Sequence, residues 1–251
     1  MGFALSADRV SALLALTREL AHVRQTAELR AAIGRHVLDL FEADYFASYE
    51  WNGKTGQFDS GVHLNMDPAN LARYDAHYQY HDPITFELQK RRKATAVVEV
   101  MPQDELVRTE FFNDFLGRDG LWWGMNVYAY DGDRNIGDMR IWRSRRRENF
   151  GRSDVQLLDE VGRAFTSALK SARAHAEADP ARRLDAARVA DRLGLTVREA
   201  EVAVLAARGL RDADIARELG IAPTTVRTHL GRAIDKAGAP SRSGLAARLL
   251  T

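Results

Sequence analysis

Apolar positions along this chain follow two periods, and the switches between them mark out its elements. Over residues 6–25 and 26–43 apolar residues recur every three or four positions, which predicts two amphipathic helices. Ser6 or Asp8 can start the first, and Thr26 can cap the second. Residues 44–51, DYFASYEW, are rich in aromatics and predict a strand. Asn52-Gly53 and Thr55-Gly56 mark a turn, after which residues 57–64 return as a second strand. Pro68 opens a helix through residue 78, and Asp82-Pro83 opens another to about residue 92. Residues 94–100 read as a strand and 102–117 as a helix. Residues 121–130 and 136–143 read as a hairpin around Asp131-Gly132-Asp133, and 153–175 as a long closing helix. Helices on an antiparallel sheet make this part α+β.

From residue 195 onward the helical period takes over, in short segments. Thr196 precedes one, Asp212 can cap the next, and a fourth begins near Ser241. In the second segment Ile215, Ala216 and Leu219 form the buried side; Gly220 suits the left-handed turn that ends it, and Ile221 packs into the corner. Pro223 stands where a first-turn proline costs no hydrogen bond. The following segment has an apolar stripe of Val226, Leu230, Ala233, Ile234 and Ala237. Thr224, Arg227, Thr228 and Gly231 fall on its opposite face. This is a helix-turn-helix pattern, whose second helix presents a short-sided, positive face to a groove floor.

The segment LTVREAEVAVLAARGLRDADIARELGIAPTTVRTHLGRAIDKAGAPSR resembles the LuxR-type DNA-binding domain. The match is carried by Leu195, Thr196, Arg198, Glu199, Glu201, Val202, Leu205, Gly209, Ile215, Ala216, Leu219, Ile221, Thr225, Val226, Arg227, His229, Leu230, Lys236 and Arg242. The resemblance implies that Arg227 and Thr228 face base edges and that Thr225, Arg232 and Lys236 lie near phosphates. With Thr224, Gly231 and Arg242 these residues make the expected DNA-binding set. The sequence departs from the family at Ala222, where a small polar cap is usual, at Leu210 and Arg211, where a polar pair is usual, and at Gly231, where a polar or basic residue is common. His229 has no second His or Cys near it and is read as a packing or phosphate-side residue, not a metal ligand.

Charge agrees with this division. From residue 181 onward 13 Lys and Arg face 8 Asp and Glu, while the rest of the chain has 23 against 27. A basic small domain joined to a mildly acidic larger one fits nucleic-acid binding at one end. The chain has no cysteine, which excludes disulfides, thiolate catalysis and Cys-based zinc sites. MGFALSADRV lacks the layout of a signal peptide, and no apolar run reaches bilayer-spanning length, so a cytoplasmic location is expected. No Gly-rich phosphate loop, metal-ligand spacing or activated nucleophile points to an enzyme, and no cofactor is expected.

The element order of the larger part resembles PAS/GAF-like sensor domains and the ligand-binding domain of LuxR-type quorum-sensing regulators. Tyr78, Asp82-Pro83 and Gly124 can be laid on that pattern. Two tryptophans that the resemblance implies near residues 70 and 97 are missing; Leu71 and Val97 stand there. The expected ligand-binding set is Tyr78, Asp82, Trp122, Trp123 and Gly124. An Asp before Pro is equally an N-cap, and only one of the adjacent Trp122 and Trp123 can face inward from a strand. The runs Lys90–Lys93 and Arg143–Arg147 read as solvated surface.

The expected architecture is therefore an α/β/α sandwich over residues 1–175, a linker over 176–194 marked by Asp179-Pro180 in which residues 182–194 can form one more helix, and a four-helix DNA-binding domain over 195–251. The expected partners are double-stranded DNA with an imperfect palindrome, a second copy of the chain, and a small molecule other than a standard acyl-homoserine lactone. RNA polymerase is a further candidate. Leu245, Leu249 and Leu250 are expected to contribute to the dimer. The alternative is a ligand-independent regulator whose larger domain serves only dimerisation or docking.

Overall fold

A computed structural model of the chain describes residues 5–22, 25–53, 55–178 and 184–250. Contacts divide it into two units, one up to Arg173 and one from Ala174 onward.

The first unit opens with α1 (Ala7–Ala21), whose N-terminus is capped by the Ser6 hydroxyl accepting from the Arg9 amide. α2 (Thr26–Leu40) follows, with Gln25 as the capping position; Thr26 is the first helical residue, not the cap. β1 (Tyr45–Asn52) and β2 (Gln57–Leu64) form the expected hairpin. α3 (Pro68–Ala76) is capped by Asp67 and gives way to a 3-10 turn at Tyr78–Tyr80. α4 is Thr85–Arg91.

The strand expected over residues 94–100 shrinks to β3 (Thr95–Ala96) and a 3-10 turn at Val97–Glu99. The Glu99 carboxylate accepts the Ala96 amide at 2.9 Å and curls the chain away from the sheet. The helix expected over 102–117 is likewise broken. α5 (Gln103–Leu106) stops, Thr109 caps a restart by accepting the Phe112 amide, and a π-helical turn at Phe112–Leu116 runs into α6 (Gly117–Asp119). A long hairpin, β4 (Trp123–Asp131) with β5 (Arg134–Arg143), and the 27-residue α7 (Arg152–Ala178), as far as Arg173, complete the unit.

The five strands are antiparallel in the order β2-β1-β5-β4-β3. Alternation along each strand sends side chains to two separate cores. Phe46, Met125, Val127, Met139 and Ile141 pack under α1, α2 and α7, against Leu16, Ile33, Val37, Leu158 and Phe165. Gly162 of α7 lies so close to the sheet that a Cβ there would meet Val127 at 2.6 Å. The opposite face carries Ala47, Tyr49, Tyr128 and Trp142 against Tyr74, Ile84, Leu88, Phe111 and Phe115. The result is the expected α/β/α layering.

The second unit contains α8 (Ala186–Leu193), α9 (Val197–Ala207), α10 (Asp212–Leu219), α11 (Pro223–Lys236) and α12 (Arg242–Leu250). α8 lies inside the stretch expected as linker; Val189 and Ala190 are buried in the core of the unit. Asp179-Pro180 lies outside the described residues. Thr196 and Glu199 form a reciprocal capping box at the start of α9. α10 ends at Gly220, with φ 64°, as its sequence demands. Asp212 is not its cap: it is the first helical residue, and its carboxylate turns to arginines. Leu245 and Leu249, expected at a dimer surface, are each 1% exposed in the unit's own core; Leu250, at 46%, stays outside.

Candidate nucleic-acid interface and ligand cavity

In α11, Val226, Leu230 and Ala233 are buried against the core of the unit, which fixes the helix's rotation. The opposite side then presents Thr224, Arg227, Thr228 and Arg232 as exposed residues, with Thr225 and Gly231 half-buried. Pro223 occupies the first turn and Ala222 contributes no side-chain cap. The N-terminal amides of α11 are therefore left without a capping side chain, next to the Thr and Arg face. A Cβ at Gly231 would meet nothing within 4 Å, so this position is a gap in the exposed surface. Thr228 hydrogen-bonds the Thr224 carbonyl at 3.0 Å, which ties its hydroxyl down.

The cationic members of the expected set differ in how free they are. Arg232 is exposed and has no ion-pair partner among the described residues. Arg227 is 73% exposed and approaches Asp212 at 3.4 Å. Arg242 binds the same Asp212 at 2.6 Å and also donates to the Leu210 carbonyl, bracing α12 on the start of α10. The Arg242 hydrogen bond holds the Asp212 carboxyl below its ordinary range, with Arg227 adding to the effect. Lys236 is engaged elsewhere: its Nζ lies 2.7 Å from the buried Glu199. That hydrogen bond, followed by the Thr196 amide, lowers the Glu199 carboxyl from 4.5 to about 2. Asp212 and Glu199 were missed as organisers of this surface because their partners lie 15 to 37 residues away.

In the first unit a small cavity of about 30 Å³ opens between the sheet and the α3–α6 layer. Of the expected ligand set only Asp82 lines it. Its carboxylate accepts the Ile84 and Thr85 amides at 2.9 Å each and the Thr85 hydroxyl at 2.6 Å, so it caps the approach to α4. Burial pushes its carboxyl pKa up, against those bonds. Tyr78 is buried beside the cavity, its ring 5.8 Å from Phe115. Trp122 and Trp123 lie outside it and pack on opposite sides of the sheet, both half-buried. Gly124 acts by absence: a Cβ there would meet Trp142 at 2.8 Å, and Trp142 forms a cavity wall.

The polar centre of this cavity is Arg140. Its Nε donates to Asp138 at 2.9 Å and its Nη1 to the Tyr74 hydroxyl at 2.6 Å. The guanidinium lies 4.3 Å from the Phe58 ring centre and 4.7 Å from that of Tyr49. Burial opposes the charge on Arg140, but Asp138 together with Tyr74, Tyr128 and Tyr49 outweighs it and the guanidinium stays protonated. Burial also depresses His63, which shares a 2.7 Å hydrogen bond with Tyr49, to about 4, with help from Arg140 and Arg30. These residues carried a signal: Asn126 and Tyr128 on β4, and Asp138 and Arg140 on β5, are polar at every second position, between the apolar Met125, Val127, Met139 and Ile141.

Comparison with known proteins bears on each unit separately. Residues 193–249 match the family described as bacterial regulatory proteins, luxR family. No protein of curated function matches the chain. Among solved structures, SdiA of Escherichia coli is 21% identical, covering 96% of this chain and 94% of that one, at a TM-score of 0.46. The LBD domain of VqsR from Pseudomonas aeruginosa is 14% identical over 66% of this chain and 97% of that one, at 0.49. A GAF domain from a Coxiella burnetii phosphoenolpyruvate-protein phosphotransferase is 9% identical over 68% and 97%, at 0.50. At these identities the likeness concerns the fold, which is GAF-like in the first unit. No helix among the described residues is long and apolar enough to cross a membrane.

Proposed function

We propose that this chain, whose residues 193–249 form a LuxR-family regulatory domain, is a sequence-specific transcriptional regulator. In this reading residues 1–175 sense a small molecule and residues 195–251 bind DNA as part of a dimer. The observation that carries it is the exposed N-terminal face of α11, where Thr224, Arg227 and Thr228 project beside the open position at Gly231. In this reading Arg227 and Thr228 meet base edges in the major groove, and Arg232 and Thr225 lie toward phosphates. Arg242 and Lys236 support the surface and reach phosphates only by giving up part of their internal pairing.

Selection of bound duplexes from a random pool tests this. The recovered site is expected to be an imperfect palindrome with half-sites about one helical turn apart. Arg227→Ala should weaken binding to that site by about 1–3 kcal/mol and relax base preference within it. Equal binding of selected and random duplexes by the wild type would remove the reading.

For the first domain, the support is the cavity on the polar face of the sheet, with Asp82 and Arg140 in its wall. Its small volume disfavours a long acyl chain, since sites for drug-sized ligands run to about 300–1,000 Å³. Leu71 and Val97 supply no ring surface where tryptophans would hold a lactone, and little or no stabilisation by acyl-homoserine lactones follows. The same small volume supports a second reading, in which the domain serves dimerisation or docking without a ligand. A rise in melting temperature with a long-chain acyl-homoserine lactone would overturn both.

A further inference from the structure

The β4–β5 ladder sets Asn126 directly opposite Arg140, so both side chains leave the same face of the sheet. Both line the cavity, and they are only 2% and 5% exposed. Each ends in a polar atom with no hydrogen-bond partner: Oδ1 of Asn126 and Nη2 of Arg140. The rest of each side chain is committed. Asn126 Nδ2 donates to the Tyr128 hydroxyl at 3.0 Å, while Arg140 Nε and Nη1 go to Asp138 and Tyr74. A buried donor and a buried acceptor, left open on directly paired residues that line one cavity, carry a desolvation cost that a suitable molecule would remove.

We infer that Arg140 and Asn126 form the recognition pair for a compact neutral molecule with a carbonyl oxygen beside an N–H, the lactam or cis-amide class. The inference rests on reading the first domain as a small-molecule sensor. The carbonyl oxygen accepts from Arg140 Nη2 and the N–H donates to Asn126 Oδ1. Neutrality follows from the charges already present. Arg140 is balanced by Asp138 at 2.9 Å, and the Asp82 carboxylate lines the same cavity, so an anion would face two carboxylates against one guanidinium. Compactness follows from the volume: about 30 Å³ holds little more than a water, so even a five-membered ring enters only as the walls of Tyr49, Tyr74, Phe115 and Trp142 move apart. A flat ring demands the least such movement and loses little internal freedom.

Three probes of similar size separate the alternatives: 2-pyrrolidinone, butyrate and methylcyclopentane, titrated into the full chain by calorimetry and melting curves. The lactam should bind and raise the melting temperature, with butyrate and methylcyclopentane at least about tenfold weaker. Asn126→Leu should weaken the lactam about tenfold by removing its acceptor. The ranking of the three probes on the wild type stands whether or not that variant folds. Butyrate binding as tightly as the lactam would overturn the neutral class while leaving a sensor with an anion site. Methylcyclopentane in first place would overturn the recognition pair and leave an apolar site. If no probe binds, the class assignment falls. A crystal structure with only ordered water on the two atoms would then remove the sensor reading as well.

Discussion

Arg140 and Arg227 are the same residue used in opposite ways. Arg140 is buried between aromatic rings, its charge balanced by Asp138 and all but one of its nitrogens spoken for. Arg227 is 73% exposed and restrained by a single 3.4 Å approach to Asp212. A guanidinium that has lost its water needs fixed partners and so becomes part of the fold. One that keeps its water can exchange a weak partner for a phosphate or a base edge. Around its cavity the first domain has put Arg140, Asp138 and Asp82 inside. On the face of α11 the second keeps Arg227 and Arg232 outside, where they keep their water.

The sharpest way to break this contrast is to remove each arginine in turn. Arg140→Leu leaves Asp138 buried without its counter-charge and Tyr74 without its donor. It should cost about 3–5 kcal/mol in urea unfolding of the first domain. Replacing Asp138 by Leu in the same background should recover part of that loss. Arg227→Ala should leave unfolding within about 0.5 kcal/mol of wild type, because its side chain is solvated, while the loss appears in DNA affinity. A destabilisation by Arg227→Ala as large as that by Arg140→Leu would erase the distinction.

The same contrast explains what could be read from the sequence. The helix-turn-helix is a local pattern: Gly220, Pro223 and the stripe Val226, Leu230 and Ala233 lie within 14 residues and fix the exposed face without knowledge of the rest. The cavity is not local. Asn126 meets Arg140 only through the β4–β5 register, and Tyr74 reaches Arg140 from 66 residues away. Aromatic content drew attention to Trp122 and Trp123, which pack on the two sides of the sheet at the start of β4. Asp82 was legible as a cap because the cap depends on its own turn, whereas its place in the cavity wall was suggested only by the resemblance to the ligand-binding domains. The strand and helix expected over 94–100 and 102–117 failed where single side chains, Glu99 and Thr109, captured backbone amides and redirected the chain.

A smaller effect should come from Asp212, which holds Arg227 and Arg242 together. Asp212→Asn removes a carboxylate from the edge of the proposed DNA surface and frees both guanidinium groups. Binding to all duplexes should tighten a few-fold, with a steeper dependence on salt, because more cationic charge becomes available to phosphates. Discrimination between the selected site and random DNA should narrow, since Arg227 loses the partner that orients it. Anisotropy titrations at several salt concentrations measure both quantities. A variant that binds more weakly would show that Asp212 positions Arg227 for contact, not against it.

The smallest effect is expected from acid. The Glu199 carboxyl is held at about 2 by Lys236 and the Thr196 amide, against an ordinary 4.5. A carboxyl depressed in the folded state contributes stability above its unfolded pKa and loses it as pH falls through the folded value. The contribution of Glu199 should therefore be complete above about pH 4.5 and gone near pH 2. Lys236 is 42% exposed, so solvent and salt screen the pair and keep the effect modest. Other carboxylates titrate in the same window, and only the difference between wild type and Glu199→Gln isolates this one. Glu199→Gln also keeps a side chain able to accept the Thr196 amide, so the cap survives while the charge is removed. Urea unfolding of the second domain should show the variant less stable than wild type at neutral pH, and the gap should close as pH falls from 4.5 toward 2. A gap that stays constant across that range would mean that Lys236 gains nothing from Glu199 and is free for phosphate after all.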